Sequence, residues 1–153
     1  SYCKTASLIA NSVRAAGVLS GCSADQLDGL YQFGRQLGLA FQVVDDILDF
    51  TGSDQQLGKP SASDLASGYL TAPTFYALEE HAALRTLIDR ELIEPGDLEQ
   101  ALSLVRSSQA IPRSRQLAET FARESRDSIA WLPESPYRRA LMELPDFVLS
   151  RLY

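Results

Sequence analysis

Apolar residues recur every three or four positions through most of the chain, and strand-like alternation is nearly absent. This spacing is typical of α-helices that bury one face, because a helix turns once in about 3.6 residues. The pattern predicts helices over residues 3–19, 23–50, 97–108, 112–131 and 136 onward, one or two more within 71–92, and a loop over 53–68. We therefore predict an all-α fold, a helical bundle that forms a single domain over residues 1–153.

Residues typical of helix ends accompany these segments. Ser23 and Gln26 have the spacing of a capping box, in which each side chain accepts a hydrogen bond from the other residue's backbone N–H. Further helix starts are predicted at Asp97, at Pro112 and at Ser135-Pro136. Pro145 is expected to kink or divide the last helix, because proline removes a backbone hydrogen bond.

The longest predicted helix, 23–50, carries two neighbouring stripes of different character. One stripe is apolar and is predicted to be core: Leu30, Phe33, Leu37, Phe41, Val44 and Leu48. The other has no bulky side chain: Gly34, Gly38, Gln42, Asp45, Asp46 and Asp49. Because the second half of this helix is otherwise apolar nearly all round, it belongs inside a bundle. Its carboxylates are therefore expected to line a cavity and not to face bulk water.

Composition narrows the function classes. The chain has 153 residues, of which 45% are hydrophobic, enough to build a core. Its net charge of −6 argues against a nucleic-acid binder, which needs a basic face for the phosphates. Cys3 and Cys22 are isolated, which fits a reducing compartment and neither a zinc site nor a disulfide framework. No run approaches the roughly 18 apolar residues of a transmembrane helix.

The aspartates on the long helix need a compensating partner. Asp45 and Asp49 are four residues apart on one helical face, where like charges repel by about 0.2–0.5 kcal/mol even in water. Burial enlarges this repulsion, so protonation, basic partners or a divalent cation must offset it. Mg²⁺ suits the arrangement, since it takes one or two carboxylates and completes its shell with water and phosphate oxygens. The alternative, a solvated acidic patch, is disfavoured by the apolar residues around the aspartates.

Residues 41–49 (FQVVDDILD) resemble the second aspartate-rich motif of trans-prenyltransferases, all-α enzymes that extend an allylic diphosphate with isopentenyl diphosphate. A single D-D-x-x-D is weakly specific, because class I terpene cyclases also place one on a helix. Further matches strengthen the resemblance: Lys4-Thr5-Ala6, Leu57-Gly58-Lys59-Pro60, Asp64-Leu65 and Thr71-Ala72-Pro73. The chain is most similar to the solanesyl-type, long-chain synthases of cyanobacteria and plastids. The resemblance covers essentially all of it and implies the C-terminal half of the isoprenoid synthase fold.

The resemblance implies a role for each matching residue. Asp45, Asp46 and Asp49 would hold Mg²⁺, Lys4 and Lys59 would bind diphosphate oxygens, and Thr5 and Gln42 would orient the substrate. Asp45, Asp46 and Lys59 would act catalytically on the departing diphosphate. The implied reaction is ionisation of the allylic C–O bond, attack by the isopentenyl double bond and loss of a proton. It needs no side-chain nucleophile. His81 is expected to be solvated, and Trp131 is expected to lie in the core.

The resemblance also implies an oligomeric state and a cellular location. The sequence departs from the family pattern at two points. The parent enzyme would be a homodimer in a bacterial cytoplasm or a plastid. Tyr69 stands where the family often has a lysine, which removes a third basic phosphate contact. Asp45-Asp46 is the only adjacent aspartate pair, so the first aspartate-rich motif of the family is missing. We therefore expect a truncated chain, a proteolysed product or a separate gene segment of about half the family's length, inactive by itself.

Two alternatives remain. The chain could serve as a non-catalytic helical partner subunit of a prenyl diphosphate synthase. A class I terpene cyclase remnant would need the Asn/Asp, Ser, Glu metal motif of those enzymes, and the sequence does not contain that pattern.

Overall fold

The computed structural model describes residues 2–52 and 62–153, and no strand occurs among them. A π-helix, Tyr2–Ala6, leads directly into the first α-helix. The α-helices are α1 Ser7–Leu19, α2 Ala24–Thr51, α3 Ser63–Ala66, α4 Ala72–Glu80, α5 Ala82–Asp89, α6 Asp97–Ser107, α7 Ala110–Ser128 and α8 Pro136–Ser150. The predicted all-α class is confirmed. None of the described helices is both long and apolar enough to cross a bilayer.

The capping box at the start of α2 is confirmed. The backbone N–H of Ser23 donates to Gln26 Oε1 at 2.9 Å, and the N–H of Gln26 donates to Ser23 Oγ at 3.4 Å. These two bonds satisfy N–H groups that have no partner within the helix. The helix then runs to Thr51, one residue beyond the predicted end.

The start of α8 is also as predicted, whereas its interior differs. Ser135 Oγ accepts a hydrogen bond from the N–H of Arg138 at 3.0 Å, and Pro136 is the first helical residue. Pro145 lies inside the helix without dividing it. Its ring is buried, and burial of apolar area offsets the hydrogen bond that proline cannot make.

The predicted helix start at Asp97 is confirmed, although Asp97 does not cap the helix, and the start predicted at Pro112 was wrong by two residues. The position before α6 is Gly96, at φ +91°, and the carboxylate of Asp97 instead accepts bonds from Arg90 Nε at 2.8 Å and from the N–H of Glu94 at 3.2 Å. Helix α7 begins two residues before Pro112, and Ser108 Oγ accepts the N–H of Ala110 at 3.1 Å. Proline is tolerated there because the N–H groups of a first turn have no helical partner.

The predicted loop over 53–68 is wrong for its last part, because α3 lies within it. The first part, 53–61, lies outside the described residues. The predicted helical region 71–92 is confirmed as two helices, α4 and α5, which meet at His81.

The chain forms two compact units, residues 1–44 with 117–153 and residues 45–116, while α2 and α7 contribute residues to both. In the first unit, α1 and α2 approach so closely that a Cβ on Gly34 would lie 2.7 Å from the Cα of Ala10. A Cβ on Gly38 would lie 2.5 Å from the Cα of Ala6. Only glycine permits this separation of the two helices.

The second unit has its own hydrophobic core. It consists of Phe50, Ala62, Leu65, Ala77, Leu84, Leu87, Ala101, Val105 and Ala110. Each fully buried leucine or phenylalanine contributes about 1.5–3 kcal/mol relative to exposure. Arg106 Nε donates to the backbone oxygen of Phe50 at 3.0 Å and so satisfies a carbonyl at the end of α2.

The predicted apolar stripe of α2 is largely confirmed. Leu30, Phe33, Leu37 and Val44 are buried, whereas Phe41 and Leu48 are half-buried. The guanidinium of Arg151 lies 4.7 Å from the centre of the Phe41 ring. The prediction for Trp131 was wrong: it is 40% exposed, because its indole N–H donates to the backbone oxygen of Ser128 at the end of α7.

Candidate functional site

The three aspartates of α2 differ in exposure. Asp46 is 4% exposed and Asp49 is 1% exposed, whereas Asp45 is half-buried. The neighbouring Ile47 and Phe50 are fully buried. The expected burial is thus confirmed for two of the three carboxylates, and Asp45 is the one that solvent reaches.

Asp49 makes contacts that the sequence did not predict. Its Oδ1 accepts from Ser63 Oγ at 3.0 Å, and its Oδ2 accepts from the backbone N–H of Asp64 at 3.1 Å. The backbone oxygen of Asp49 accepts from the N–H of Ala62 at 2.7 Å. Ser63 was missed because it stands in a run of small polar residues that looks like loop. The only local sequence signal for a turn there was a serine directly followed by an aspartate.

A second group of predicted residues meets within the first unit. Thr5 Oγ1 donates to Gln42 Oε1 at 2.9 Å, and Gln42 is 7% exposed. Gln42 follows Gly38 by one helical turn, and Thr5 precedes Ala6, which packs on Gly38. The close approach at Gly38 is therefore what brings the threonine within reach of the amide. Gly34 and Gly38, on the same stripe as Gln42, line a helix contact.

Lys4 and Thr5 belong to the π-helix, and Lys4 is exposed. Such turns are rare and often occur at functional sites. On the same element, the hydroxyl of Tyr2 hydrogen-bonds the hydroxyl of Tyr31, and this bond raises the pKa of the Tyr2 phenol. The guanidinium of Arg35 lies 5.9 Å from the Tyr2 ring. These contacts among Tyr2, Tyr31 and Arg35 were not predicted from the sequence.

Lys59, predicted to bind diphosphate, lies outside the described residues together with Leu57, Gly58 and Pro60. The side chain of Tyr69, at the position of the missing lysine, is largely exposed.

The Thr-Ala-Pro signature begins α4. Thr71 precedes the helix in an extended conformation, and proline occupies its first turn. The hydroxyls of Thr71 and Thr74 are buried without a hydrogen-bond partner among the described residues. His81 is half-buried, and its Nε2 also has no hydrogen-bond partner among the described residues. The prediction of a solvated histidine was therefore wrong. His81 joins two helices and does not end in solvent.

The aspartates fit a magnesium site that other groups complete. Across 2–52 and 62–153, no three His, Cys, Asp or Glu side chains converge as a ready cage for a metal ion. Mg²⁺ does not require one, because it commonly takes one or two protein carboxylates and keeps water and phosphate oxygens as its other ligands. A half-buried Asp45 beside two buried carboxylates provides this kind of oxygen donor on an apolar helix.

Solved structures define the class. An Arabidopsis medium/long-chain length prenyl pyrophosphate synthase is 42% identical, with a TM-score of 0.88 over 99% of this chain and 53% of that one. Heptaprenyl diphosphate synthase from Staphylococcus aureus is 28% identical, with a TM-score of 0.91 over 98% of this chain and 48% of that one. The fold is the all-α fold of isoprenyl diphosphate synthases.

Sequence comparison identifies the family. The sequence model of polyprenyl synthetase matches residues 1–105, and the chain belongs to this family. A prenyl transferase of Synechocystis sp. is 54% identical over 100% of this chain and 47% of its own length. Solanesyl diphosphate synthase 2, chloroplastic, of Arabidopsis thaliana is 47% identical over 99% of this chain and 36% of its own length. The chain thus spans about half, or less, of the length of these relatives.

Proposed function

We propose that this chain carries the allylic-diphosphate side of a long-chain, solanesyl-type prenyl diphosphate synthase. The observation that supports this proposal most directly is the cluster Asp45, Asp46 and Asp49 on an apolar helix, with two of its carboxylates almost completely buried. Burial of neighbouring carboxylates raises the free-energy cost of their negative charges, which supports a divalent cation as one of the groups that offset this cost. The similarity to solanesyl diphosphate synthases supports the long-chain product and the substrates, an allylic diphosphate and isopentenyl diphosphate.

Mg²⁺ held by the aspartates would supply positive charge to the departing diphosphate when the allylic C–O bond ionises. A related polyprenyl synthase of Caulobacter crescentus, 33% identical with a TM-score of 0.86 over 98% of this chain and 47% of that one, was solved with calcium and isoprenyl diphosphate. That complex supports a divalent cation together with a diphosphate ligand for this chain.

The remaining residues have separate tasks in this proposal. Lys4 is exposed, so its ammonium is available to bind diphosphate oxygens as a point charge. Lys59 would do the same and act on the leaving group. The bond between Thr5 and Gln42 holds both polar groups in a fixed relative orientation, in which they would position the substrate. Buried apolar side chains around the aspartates would keep water from the carbocation.

The test is a chimaera in which this chain replaces the matching region of the Synechocystis relative. With Mg²⁺, farnesyl diphosphate and labelled isopentenyl diphosphate, the chimaera should form long-chain products. Asp45→Asn should lower kcat/KM by at least about a hundredfold, the size of effect expected when a charge that acts on the transition state is lost. Ser103→Ala, exposed on α6, is the matched control and should retain activity.

Wild-type rates for Asp45→Asn would contradict the metal assignment. A chimaera that folds but forms no product, together with co-purification of this chain with a separate synthase chain, would favour the non-catalytic subunit. We also infer a homodimeric parent enzyme in a bacterial cytoplasm or a plastid, and the sources of the relatives support this location.

A further inference from the structure

The carboxylate of Asp49 faces a different environment from that of Asp45, although both belong to one motif. Asp45 is half-buried, whereas Asp49 is 1% exposed and binds Ser63 Oγ and the N–H of Asp64. Both donors belong to the first turn of α3, fourteen and fifteen residues farther along the chain. Asp49 thus has the hydrogen bonds of a capping residue, but the helix that it caps is not the helix to which it belongs.

Helix α3 needs such a cap. Its N-cap residue is Ala62, at φ +55°, and no side-chain cap comes from that position. A non-glycine residue in the left-handed region costs roughly 1–2 kcal/mol, so local sequence does not favour this start. The Asp49 carboxylate accepts two hydrogen bonds there, and bonds to a charged acceptor are about twice as strong as neutral ones.

Asp49 also fixes where the chain returns to α2. The N–H of Gly52 donates to the oxygen of Leu48, and the N–H of Ala62 donates to the oxygen of Asp49, each at 2.7 Å. The described residues on both sides of 53–61 are therefore bonded to consecutive residues of one helical turn. Lys59 lies three positions before Ala62 in the sequence.

We propose that Asp49 is a positioning residue and not a third metal ligand equivalent to Asp45, which restricts the metal-binding role proposed above to Asp45 and Asp46. It caps α3 from the end of α2 and so fixes the position of Ala62, three residues after Lys59 in the sequence. The catalytic consequence rests on the proposed function, whereas the structural one does not depend on it.

The structural part is tested on this chain in EDTA, by thermal unfolding. If the aspartates serve only as metal ligands, neutralising one of them without metal relieves repulsion, and Tm stays or rises. Asp49→Asn should instead lower Tm by roughly 5 °C, because a buried charge-assisted cap is lost. A Tm for Asp49→Asn that stays or rises would overturn the proposal.

Ser63→Ala gives an independent check, because it removes one donor and leaves all three carboxylates. It should lower Tm by a smaller amount, and the double variant with Asp49→Asn should lose less than the sum of the two single variants. Strict additivity would show that the two side chains do not act together and would overturn the capping role. Ser103→Ala controls for loss of a hydroxyl at an exposed position.

The catalytic part is tested in the chimaera. Asp49→Asn should raise KM for farnesyl diphosphate by about tenfold, the cost of one charge-assisted hydrogen bond, and leave the Mg²⁺ concentration for half-maximal rate within about twofold. Asp45→Asn should shift that Mg²⁺ concentration upward. An equal Mg²⁺ shift for both variants would make Asp49 a ligand and overturn the proposal. An inactive wild-type chimaera would count against the proposed function, while the unfolding results would still decide the capping role.

Discussion

Thr5 and Gln42 show how much a single side-chain hydrogen bond can fix. They are 37 residues apart in sequence, and Gln42 is almost completely buried. A buried amide that loses its partner costs roughly 1–3 kcal/mol, more than the bond itself contributes. The pair therefore stabilises the first unit whether or not substrate is present.

A matched pair of threonine variants tests this reasoning. Thr5→Val should lower the free energy of unfolding by about 1 kcal/mol, because the hydrogen bond from Thr5 to the buried Gln42 is lost. Thr74→Val should leave that energy unchanged or raise it by up to about 1 kcal/mol, since the hydroxyl of Thr74 is buried without a partner in the described residues. Urea denaturation of both variants is the measurement. Equal losses would show that the two hydroxyls are equivalent.

At the scale of single residues, the sequence correctly predicted the features that depend on neighbouring residues in the chain. The aspartate motif and the burial of Asp46 and Asp49 followed from the apolar residues that surround them. The partners of Asp49 could not be predicted, because Ser63 becomes its neighbour only when the chain folds back on α2. Trp131 was misplaced for a similar reason, since its indole N–H finds a backbone acceptor at the surface.

Among the elements, α2 was predicted to within one residue at each end. Its capping box and the small residues that follow Phe50 are local signals, so their effect does not depend on tertiary contacts. Helix α3 was missed because four residues are too few for a periodic pattern and its cap comes from another helix. Asp97 was misread because Arg90 competes for its carboxylate.

The crossing of α1 and α2 gives a prediction at the element scale. An alanine in a helix is normally about 1 kcal/mol more favourable than glycine. Gly38→Ala should nevertheless destabilise the chain by about 1–3 kcal/mol, because the new Cβ would meet the backbone of Ala6 at 2.5 Å. Gln32→Ala, exposed on the same helix, is the control and should be neutral or slightly stabilising. A stabilised Gly38→Ala, measured by urea denaturation, would show that the crossing is looser than described.

For the whole molecule, the all-α fold was predicted from the spacing of apolar residues and the family from motifs, and the comparisons confirm both. The single-domain prediction and the assigned site residues remain predictions. The two compact units could not be anticipated, since α2 and α7 are continuous helices that contribute to both.

Activity of the chain by itself gives the prediction at this scale. A catalytic site that uses two aspartate-rich motifs cannot assemble from a sequence with one adjacent aspartate pair. With Mg²⁺, farnesyl diphosphate and labelled isopentenyl diphosphate, this chain should show no turnover above a protein-free blank. Measurable product from the purified chain would contradict this expectation and would require another source of catalytic groups.

Where Gly34 and Gly38 of α2 meet Ala10 of α1 and Ala6 of the π-helix, the contact is made largely of main chain, and this limits how the first unit can change. Gly38 has no side chain to shorten, and any longer one collides with peptide atoms that cannot rotate aside. Rotamer changes, by which most protein interiors absorb substitution, are therefore not available at this point. The backbones of Thr5 and Gln42 can therefore move apart only if one of the two helical segments shifts.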